Sequence, residues 1–441
     1  MQYSPLSMLL GLVFTSLLIL FSAFAIVAQE GINGVERSRN RKMLKVIKDE
    51  VADKYYDKNF HGVDFEIIFK AADARLKEVK TNSESFIIIA AFLQTLKDSH
   101  TYFLPPSRSV RVEHGWQMQM IGDKCLVVRV SAGSDAEKQN LKVGDQILGF
   151  EGMRMTREDY PTFRYMFFVL NPISEMNLLV QSPDGSRRNI RVAGKRNESF
   201  RVTDLTDYTT YINLIRESEM QAEIDAHRFI EIGDDLTIWK MPRFDLSKDK
   251  VDDCMDKVLK RKNLILDLRG NGGGYEETLL RLLGYFFDKN IDVGKLVLRN
   301  ETKPMTAKTI GKNAYHGKVV ALIDSRSGSA AEVFARVLQL ENRGVVLGDI
   351  SSGRVMRSRF YSKSLGADTL VFFGVSVTDA DVVMTDGKSL ENNGVKPDEF
   401  ILPAIADLVA GRDPVLSRAA ALSGVAISPE KAGTLFPYLE K

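Results

Sequence analysis

The chain has 441 residues, 44% hydrophobic and 27% charged, which describes a folding polypeptide of two or three domains and excludes disordered and low-complexity architectures. Lys and Arg total 60 against 58 Asp and Glu, a formal net charge of +2, so no global charge attracts nucleic acid. The cysteines Cys125 and Cys254 lie too far apart in sequence for a disulfide framework or a cysteine-built zinc site, and His61, His100, His114, His227 and His316 show no metal-ligand spacing; the expected chemistry is metal-free and needs no cofactor.

Met8 to Ala28 is an uncharged, mostly apolar run ending in small residues (Ser22, Ala23, Ala25, Ala28) before Gln29 and Glu30. Residues 1–28 therefore read first as a cleaved export signal and second as an amino-terminal membrane anchor through residues 8–28, since the run is long enough to cross a bilayer. Either reading places the remainder beyond the membrane, in a periplasmic or extracellular space. Residues 34–106 follow as a helical amino-terminal domain, with helical spacing in Phe65, Ile68, Phe69 and Ala72 and again from Phe86 to Leu96. At its close stands LKDSHTYF, in which Ser99 precedes His100. Histidine is the side chain best suited to accept a hydroxyl proton near neutral pH, although a lone histidine is more often a packed or capping residue.

Residues 107–197 turn to short alternating runs such as Trp116, Met118, Met120 and Leu126, Val128, Val130, which predict a sheet-rich module. Within it VVRVSAGSDAEKQNLKVGDQILGFEGMRM, Val127 to Met155, resembles a PDZ domain's strand, small helix and GD turn. Asn140 stands where such domains carry glycine and is suited to a left-handed backbone, so the turn should survive. The resemblance implies binding of an extended chain end by strand addition, with Gly115, Trp116, Gln117 and Met118 at the carboxylate loop and pocket entry. Trp116 and Met118 fit equally well as plain core residues of a strand. Residues 198–228 read as a polar helical connector.

From 229 to 410 buried strands (Leu264 to Leu268, Val319 to Ile323, Val345 to Leu347) alternate with helices (Lys248 to Arg261, Glu276 to Phe287, Ala330 to Leu340), the pattern of an α/β domain. LILDLRGNGGG, Leu264 to Gly274, runs a buried strand into a polyglycine turn that matches neither a dinucleotide nor a phosphate loop, leaving an oxyanion-type site or a structural turn. VVALIDSRSGSAAEVFARVLQ, Val319 to Gln339, places Ser329 where turn becomes helix, the position of an exposed nucleophile or of an ordinary N-cap. Residues 411–441 read as a loosely packed tail.

Together these motifs resemble the carboxy-terminal processing peptidases, or tail-specific proteases. The resemblance implies an α/β, multidomain chain with a helical amino-terminal domain, a PDZ-like β-rich domain and a crotonase-like serine peptidase core. By motif it makes Ser329 in SGSAAE the nucleophile and Gly272, Gly273 and Ala330 the oxyanion donors, and it makes polypeptide chains the substrate. The family's serine and lysine branch carries a Gly-Lys step where this chain has Gly353-Arg354, and arginine cannot act as general base. The other branch, similar to the core of the tricorn protease, uses histidine with a preceding serine and a distal glutamate. Ser99-His100 matches that pattern, with Glu391 in LENNGVKPD as the glutamate and Asp386 as the weaker alternative. An exported serine endopeptidase is thus expected. The competing expectation is a catalytically inactive, PDZ-bearing peptide-binding protein, for which Arg354 is the main argument; an esterase using the same serine and histidine is a third.

Overall fold

The computed structural model describes residues 31–107, 110–198, 226–366 and 370–436. The expected export segment and most of the polar connector lie outside these residues. Among the described residues the first α-helices are α1 (Gly34–Lys54), α2 (Phe65–Leu76) and α3 (Asn82–Gln94). Asn33 and Thr81 each cap a helix start with a side-chain oxygen, and Glu36 and Glu84 return the bond three residues on, the reciprocal arrangement that satisfies two orphan donors at once. Strand β1 (Tyr102–Leu104) follows almost directly from the Ser99-His100 step.

A ribbon strand β2 (Val110–Glu113) leads into β3 (Trp116–Ile121) and β4 (Lys124–Val130), then the one-turn helix α4 (Asp135–Lys138), β5 (Gln146–Phe150) and β6 (Met153–Arg154). Helix α5 (Tyr160–Arg164) runs straight into a π-helical turn at Tyr165–Leu170. Strands β7 (Glu175–Gln181), β8 (Arg187–Ala193) and β9 (Lys195–Glu198) complete this stretch. The sheet order is β3-β4-β5-β7-β8, with β6 beside β5, while β2 and β9 pair with each other. Strand β7 alternates exposed and buried residues along most of its length, as a sheet with one wet face requires. The inward residues of this sheet, the faces of α1 to α3, and Phe373, Val375 and Val377 from a strand much later in the chain form one continuous apolar cluster.

The remainder is built on a six-stranded sheet. Its strands are β10 (Arg228–Ile232), β11 (Leu236–Lys240), β12 (Asn263–Asp267), β15 (Lys318–Ile323), β16 (Val345–Gly348) and β19 (Glu399–Phe400), side by side in that order. All neighbours from β11 onward are parallel. All five residues of β12 are buried, which a parallel strand covered on both faces demands. One face carries α6 (Lys248–Val258), α7 (Glu276–Gly284) and α8 (Ala330–Leu340) over the second apolar cluster. Between them the chain makes a second, antiparallel sheet from β13 (Ile291–Leu298), β14 (Thr302–Ala307), β17 (Met356–Leu365) and the long β18 (Val371–Met384), which β1 also joins. Strand β18 pairs with β1 through Tyr102 and Ser376 and with β13 through Leu296 and Val382. It thereby ties the amino-terminal helices to the parallel core.

The closing residues depart from the loose tail expected at 411–441. Helices α9 (Ile405–Ala410), α10 (Pro414–Leu422) and α11 (Pro429–Leu435) follow β19, and Val415, Leu416, Ala419, Ala420 and Ala432 are buried against Leu236, Ile238, Ile265, Val320, Leu322 and Leu347. The small side chains hide the apolar stripe from a pattern reading, yet they are what lets these helices lie close against the sheet.

Asn140 has φ +59, the left-handed conformation expected at the turn, and its carbonyl accepts the Arg188 guanidinium at 2.8 Å. Asn140→Gly should leave the unfolding midpoint nearly unchanged, whereas Asn140→Val should lower stability by about 1 to 2 kcal/mol, measured by urea unfolding.

Candidate active site

Two strand-to-turn-to-helix units lie next to each other in the parallel sheet, and their turns meet. After β15 the chain turns through Asp324–Gly328, where the Ser327 hydroxyl donates to the Leu268 carbonyl at 2.8 Å and the Gly328 N–H donates to the Asn271 carbonyl at 2.8 Å. These bonds clamp the serine turn to the polyglycine turn. Ser329 then stands at φ 55, ψ −120 immediately before α8. Left-handed backbone in a residue with a side chain is strained and persists only where its surroundings hold it. Gly273 packs against it so closely that a Cβ there would lie 2.5 Å from Ser329 Cβ and 3.0 Å from the Ala330 nitrogen, so no side chain fits at this position.

What holds Ser329 is Glu332, one turn into α8 and fully buried. Its carboxylate accepts the Ser329 N–H at 2.9 Å, the Ser351 and Ser352 hydroxyls at 2.5 and 3.2 Å, and the Gly353 and Arg354 N–H groups at 2.8 and 3.0 Å. Burial raises its pKa, and the hydrogen bonds from Ser351, Arg354, Gly353 and Ser329 oppose that rise. The Ser329 N–H also reaches the Arg354 carbonyl at 2.9 Å.

A second carboxylate organises the other half. Glu391 accepts the Ser99 N–H at 2.7 Å, the Ser99 hydroxyl at 3.0 Å and the Val355 N–H at 2.8 Å; burial raises its pKa, against the hydrogen bonds from Val355 and Ser99. The Ser99 oxygen lies 2.7 Å from His100 Nδ1. With the Ser99 proton given to the carboxylate, that oxygen accepts Nδ1–H, which leaves the Nε2 lone pair free. The Arg354 guanidinium donates to the Ser99 carbonyl at 3.0 Å. Burial first, and the Arg354 charge second, bring the His100 pKa down to about 4, against an opposing pull from Asp98. The imidazole is therefore neutral near pH 7.

The structure thus brings Ser99, His100 and Glu391 into hydrogen-bonded contact and links Ser329 to them through Arg354, whose carbonyl accepts the Ser329 N–H and whose guanidinium donates to Ser99. Among the described residues no hydrogen bond joins His100 Nε2 to the Ser329 hydroxyl. Asp386, the alternative carboxylate, instead pairs with Arg336 at 2.7 Å and takes no part. Of the expected oxyanion donors, Gly273 needs correction: its N–H is already given to Asn271 Oδ1 at 2.8 Å. The Gly272 and Ala330 N–H groups have no partner among the described residues, Ala330 because the first amide of a helix has none within it. Gly115 takes φ +68 ahead of β3, and Trp116 and Met118 are buried in that strand. Strand β3 edges its sheet, yet its Met118 and Met120 carbonyls already accept the Tyr160 and Ser325 hydroxyls at 2.8 and 2.5 Å. Among the described residues no group of three or more His, Cys, Asp or Glu side chains is placed to hold a metal.

Two contributors were missed. Glu332 completes an S-x-x-E pattern with Ser329, a signature visible in the sequence. Asp98 Oδ1 accepts the His100 and Thr101 N–H groups at 2.9 and 2.7 Å and the Thr378 hydroxyl at 2.6 Å, so it sets the turn that carries the imidazole.

Residues 235–401 match the profile of Peptidase family S41. The chain is 24% identical over 413 residues to a protein described as a probable CtpA-like serine protease of Staphylococcus aureus strain COL, spanning 91% of this chain and 73% of that one. It is 21% identical over 336 residues to the carboxy-terminal processing protease CtpA of Bacillus subtilis strain 168, across 72% of this chain and 64% of the relative. Among solved structures, mature CPAF is similar in fold, with a TM-score of 0.62 at 15% identity over 85% of this chain and 95% of that one.

Arg354→Ala removes a positive charge beside His100, so the imidazolium becomes less costly and its pKa rises; the acid limb of kcat/KM should move to higher pH. Asp98→Asn removes a negative charge while keeping the Oδ1 acceptor, and should move the limb to lower pH. Each displacement should be roughly three- to tenfold in proton concentration; a limb that ignores both changes belongs to some other group. Glu332→Ala strands buried donors and should cost about 3 to 5 kcal/mol by urea unfolding, with Glu332→Gln losing less because one acceptor oxygen remains.

Proposed function

From the match of residues 235–401 to peptidase family S41 and the likeness to carboxy-terminal processing proteases, we propose that this chain is a serine-type peptidase, an exported endopeptidase of the carboxy-terminal processing type that cleaves polypeptides through an acyl-enzyme on Ser329. The observation that carries this reading is the convergence of Ser329 and the Ser99-His100 pair on Arg354, whose carbonyl takes the Ser329 N–H and whose guanidinium donates to Ser99. Export rests on the uncharged run at residues 8–28.

In this reading His100 is the general base and Ser99 and Glu391 are its positioning residues. Glu391 holds the Ser99 proton, Ser99 holds Nδ1–H, and Nε2 takes the proton of the Ser329 hydroxyl as Oγ bonds to the substrate carbonyl carbon. The strained backbone at Ser329 projects the hydroxyl out of the turn and leaves the Ala330 N–H beside it. Negative charge that develops on the carbonyl oxygen is met by the Gly272 and Ala330 N–H groups, and loss of one such donor costs about 100- to 1,000-fold in rate. The proton on Nε2 passes to the departing amine, and water then releases the acyl group by the same path in reverse. Catalysis requires His100 Nε2 to come within reach of Ser329 Oγ, a contact that enzymes commonly tighten only when substrate is bound. The low His100 pKa suits a base that must be unprotonated before substrate arrives; the nascent oxyanion offsets the charge it then acquires.

Chain ends would enter along Gly115, Trp116, Gln117 and Met118, a route that requires the Tyr160 hydroxyl to give up the Met118 carbonyl. The second reading, a peptide-binding protein that no longer cleaves, is favoured by one observation: Arg354 occupies the Gly-Lys step and is already engaged with Ser99.

A fluorophosphonate probe separates the two. The wild-type chain should be labelled, Ser329→Ala should lose labelling entirely, His100→Ala should label at least about 100-fold more slowly, and Arg354→Ala should retain labelling. Absence of labelling in a folded wild-type chain that still binds peptides would leave the binding protein as the answer.

A further inference from the structure

A cavity of about 1120 Å³ opens between β3, the polyglycine turn and the closing helices, and Gly272, Gly273 and Gly274 form part of its wall. It continues the proposed oxyanion site rather than repeating it, because it extends away along the carboxyl ends of β11, β12, β15 and β16, where open α/β sheets take their ligands. Its wall holds eight cationic side chains and four carboxylates; of the cations, Arg412 is matched from outside the wall by Asp407 at 2.8 Å.

All four carboxylates are spent inside the protein. Asp267 meets Lys240 at 3.1 Å and Arg269 at 2.8 Å, and Asp413 meets the same Arg269 at 2.8 Å. Asp324 accepts the Gly270 N–H and the Gln119 amide, each at 2.8 Å, and Asp349 accepts the Gly122 N–H at 2.9 Å and pairs with Arg157 at 3.1 Å. Arg111 and Arg164 have no carboxylate partner among the described residues; Arg164 lies over the Tyr160 ring at 6.0 Å, and Arg243 meets Asp245 only at 3.7 Å. A separate observation points the same way. Trp116, on the cavity wall and 7% exposed, buries its Nε1–H with no acceptor among the described residues. The groups this cavity leaves unanswered are hydrogen-bond donors and positive charges, so its ligand must bring acceptors and negative charge.

We propose that the cavity is a substrate subsite that takes an acidic segment of the polypeptide, the carboxylates of Asp or Glu side chains lying against Arg111, Arg164 and Arg243 while a chain acceptor meets Trp116 Nε1. The proposal rests on the polypeptide-cleaving reading above and adds the substrate class. A terminal carboxylate offers the same chemistry, but one such group cannot answer Arg111, Arg164 and Arg243 together, whereas a run of acidic side chains can. A cleft lined by one sign of charge also focuses its field outward and gathers oppositely charged segments before contact.

The test uses the full chain with Ser329→Ala and four fluorescent peptides of one sequence, carrying either Glu or Gln at the acidic positions and ending either in a free carboxylate or an amide, with anisotropy read at low and high ionic strength. The Glu peptides should bind about tenfold or more tightly than their Gln counterparts at low salt, with free and with amidated ends alike, and the advantage should shrink as salt rises. Arg111→Glu combined with Arg243→Glu should remove the preference. The wild-type chain, cleaving the same peptides in competition, gives the same readout without altering the cavity. Equal binding of Glu and Gln peptides, or a preference that follows only the terminal carboxylate, overturns the proposal. Failure to bind any of the four also overturns it, and wild-type labelling by the fluorophosphonate then shows whether the peptidase reading survives by itself.

Discussion

Three consecutive peptide N–H groups, at Gly353, Arg354 and Val355, hold this structure's chemistry together. Glu332 takes the first two and Glu391 takes the third. One carboxylate belongs to the helix that begins at Ser329, and the other to the relay that ends at His100. The short segment between them is therefore a splint, and any shift in it moves both halves. Burying two carboxylates is expensive unless each is saturated with donors. Glu332 accepts from five groups and Glu391 from three, counting the Ser99 N–H and hydroxyl. Removal of either would leave a set of donors without acceptors in a tightly packed place.

The same splint explains why arginine is tolerated at position 354. Its backbone does the holding, with the N–H on Glu332 and the carbonyl on Ser329, while the side chain lies across to the Ser99 carbonyl. A permanently charged guanidinium there cannot accept a proton, but it acts on the neighbouring imidazole by disfavouring its charged form. Asp98 pulls the other way from the turn beneath. The imidazole thus sits between one positive and one negative group, each with its own tether.

Much of this was legible from the chain alone. The two strand-to-turn-to-helix units stand out because an apolar run that ends in glycine or small polar residues before an amphipathic stretch has few other solutions, and Ser329 falls where that pattern breaks. Asn140 was readable because few residue types accept a left-handed backbone. Glu391 was reached only through its family-like run, since nothing local to LENNGVKPD shows that its partner is Ser99. The parts that escaped all depend on distant partners. Whether Gly272 or Gly273 keeps a free N–H turns on where the Asn271 side chain points. Glu332 has the spacing of an ordinary capping residue, and its further bonds come from a loop about twenty residues downstream. The closing helices carry alanine where a pattern reading looks for larger apolar residues, and close packing of small side chains is visible only in three dimensions.

The pairing of Ser99 with Glu391 spans 292 residues, and β1, which immediately follows the His100 step, has its partner strand in β18. The imidazole is therefore synthesised well before the carboxylate and the strand that fix its turn, Glu391 and β18. Such far-reaching contacts form late because loop closure must come first. A product truncated before β18 and Glu391 would carry both Ser329 and His100 but lack the strand and the carboxylate that hold the His100 turn in place.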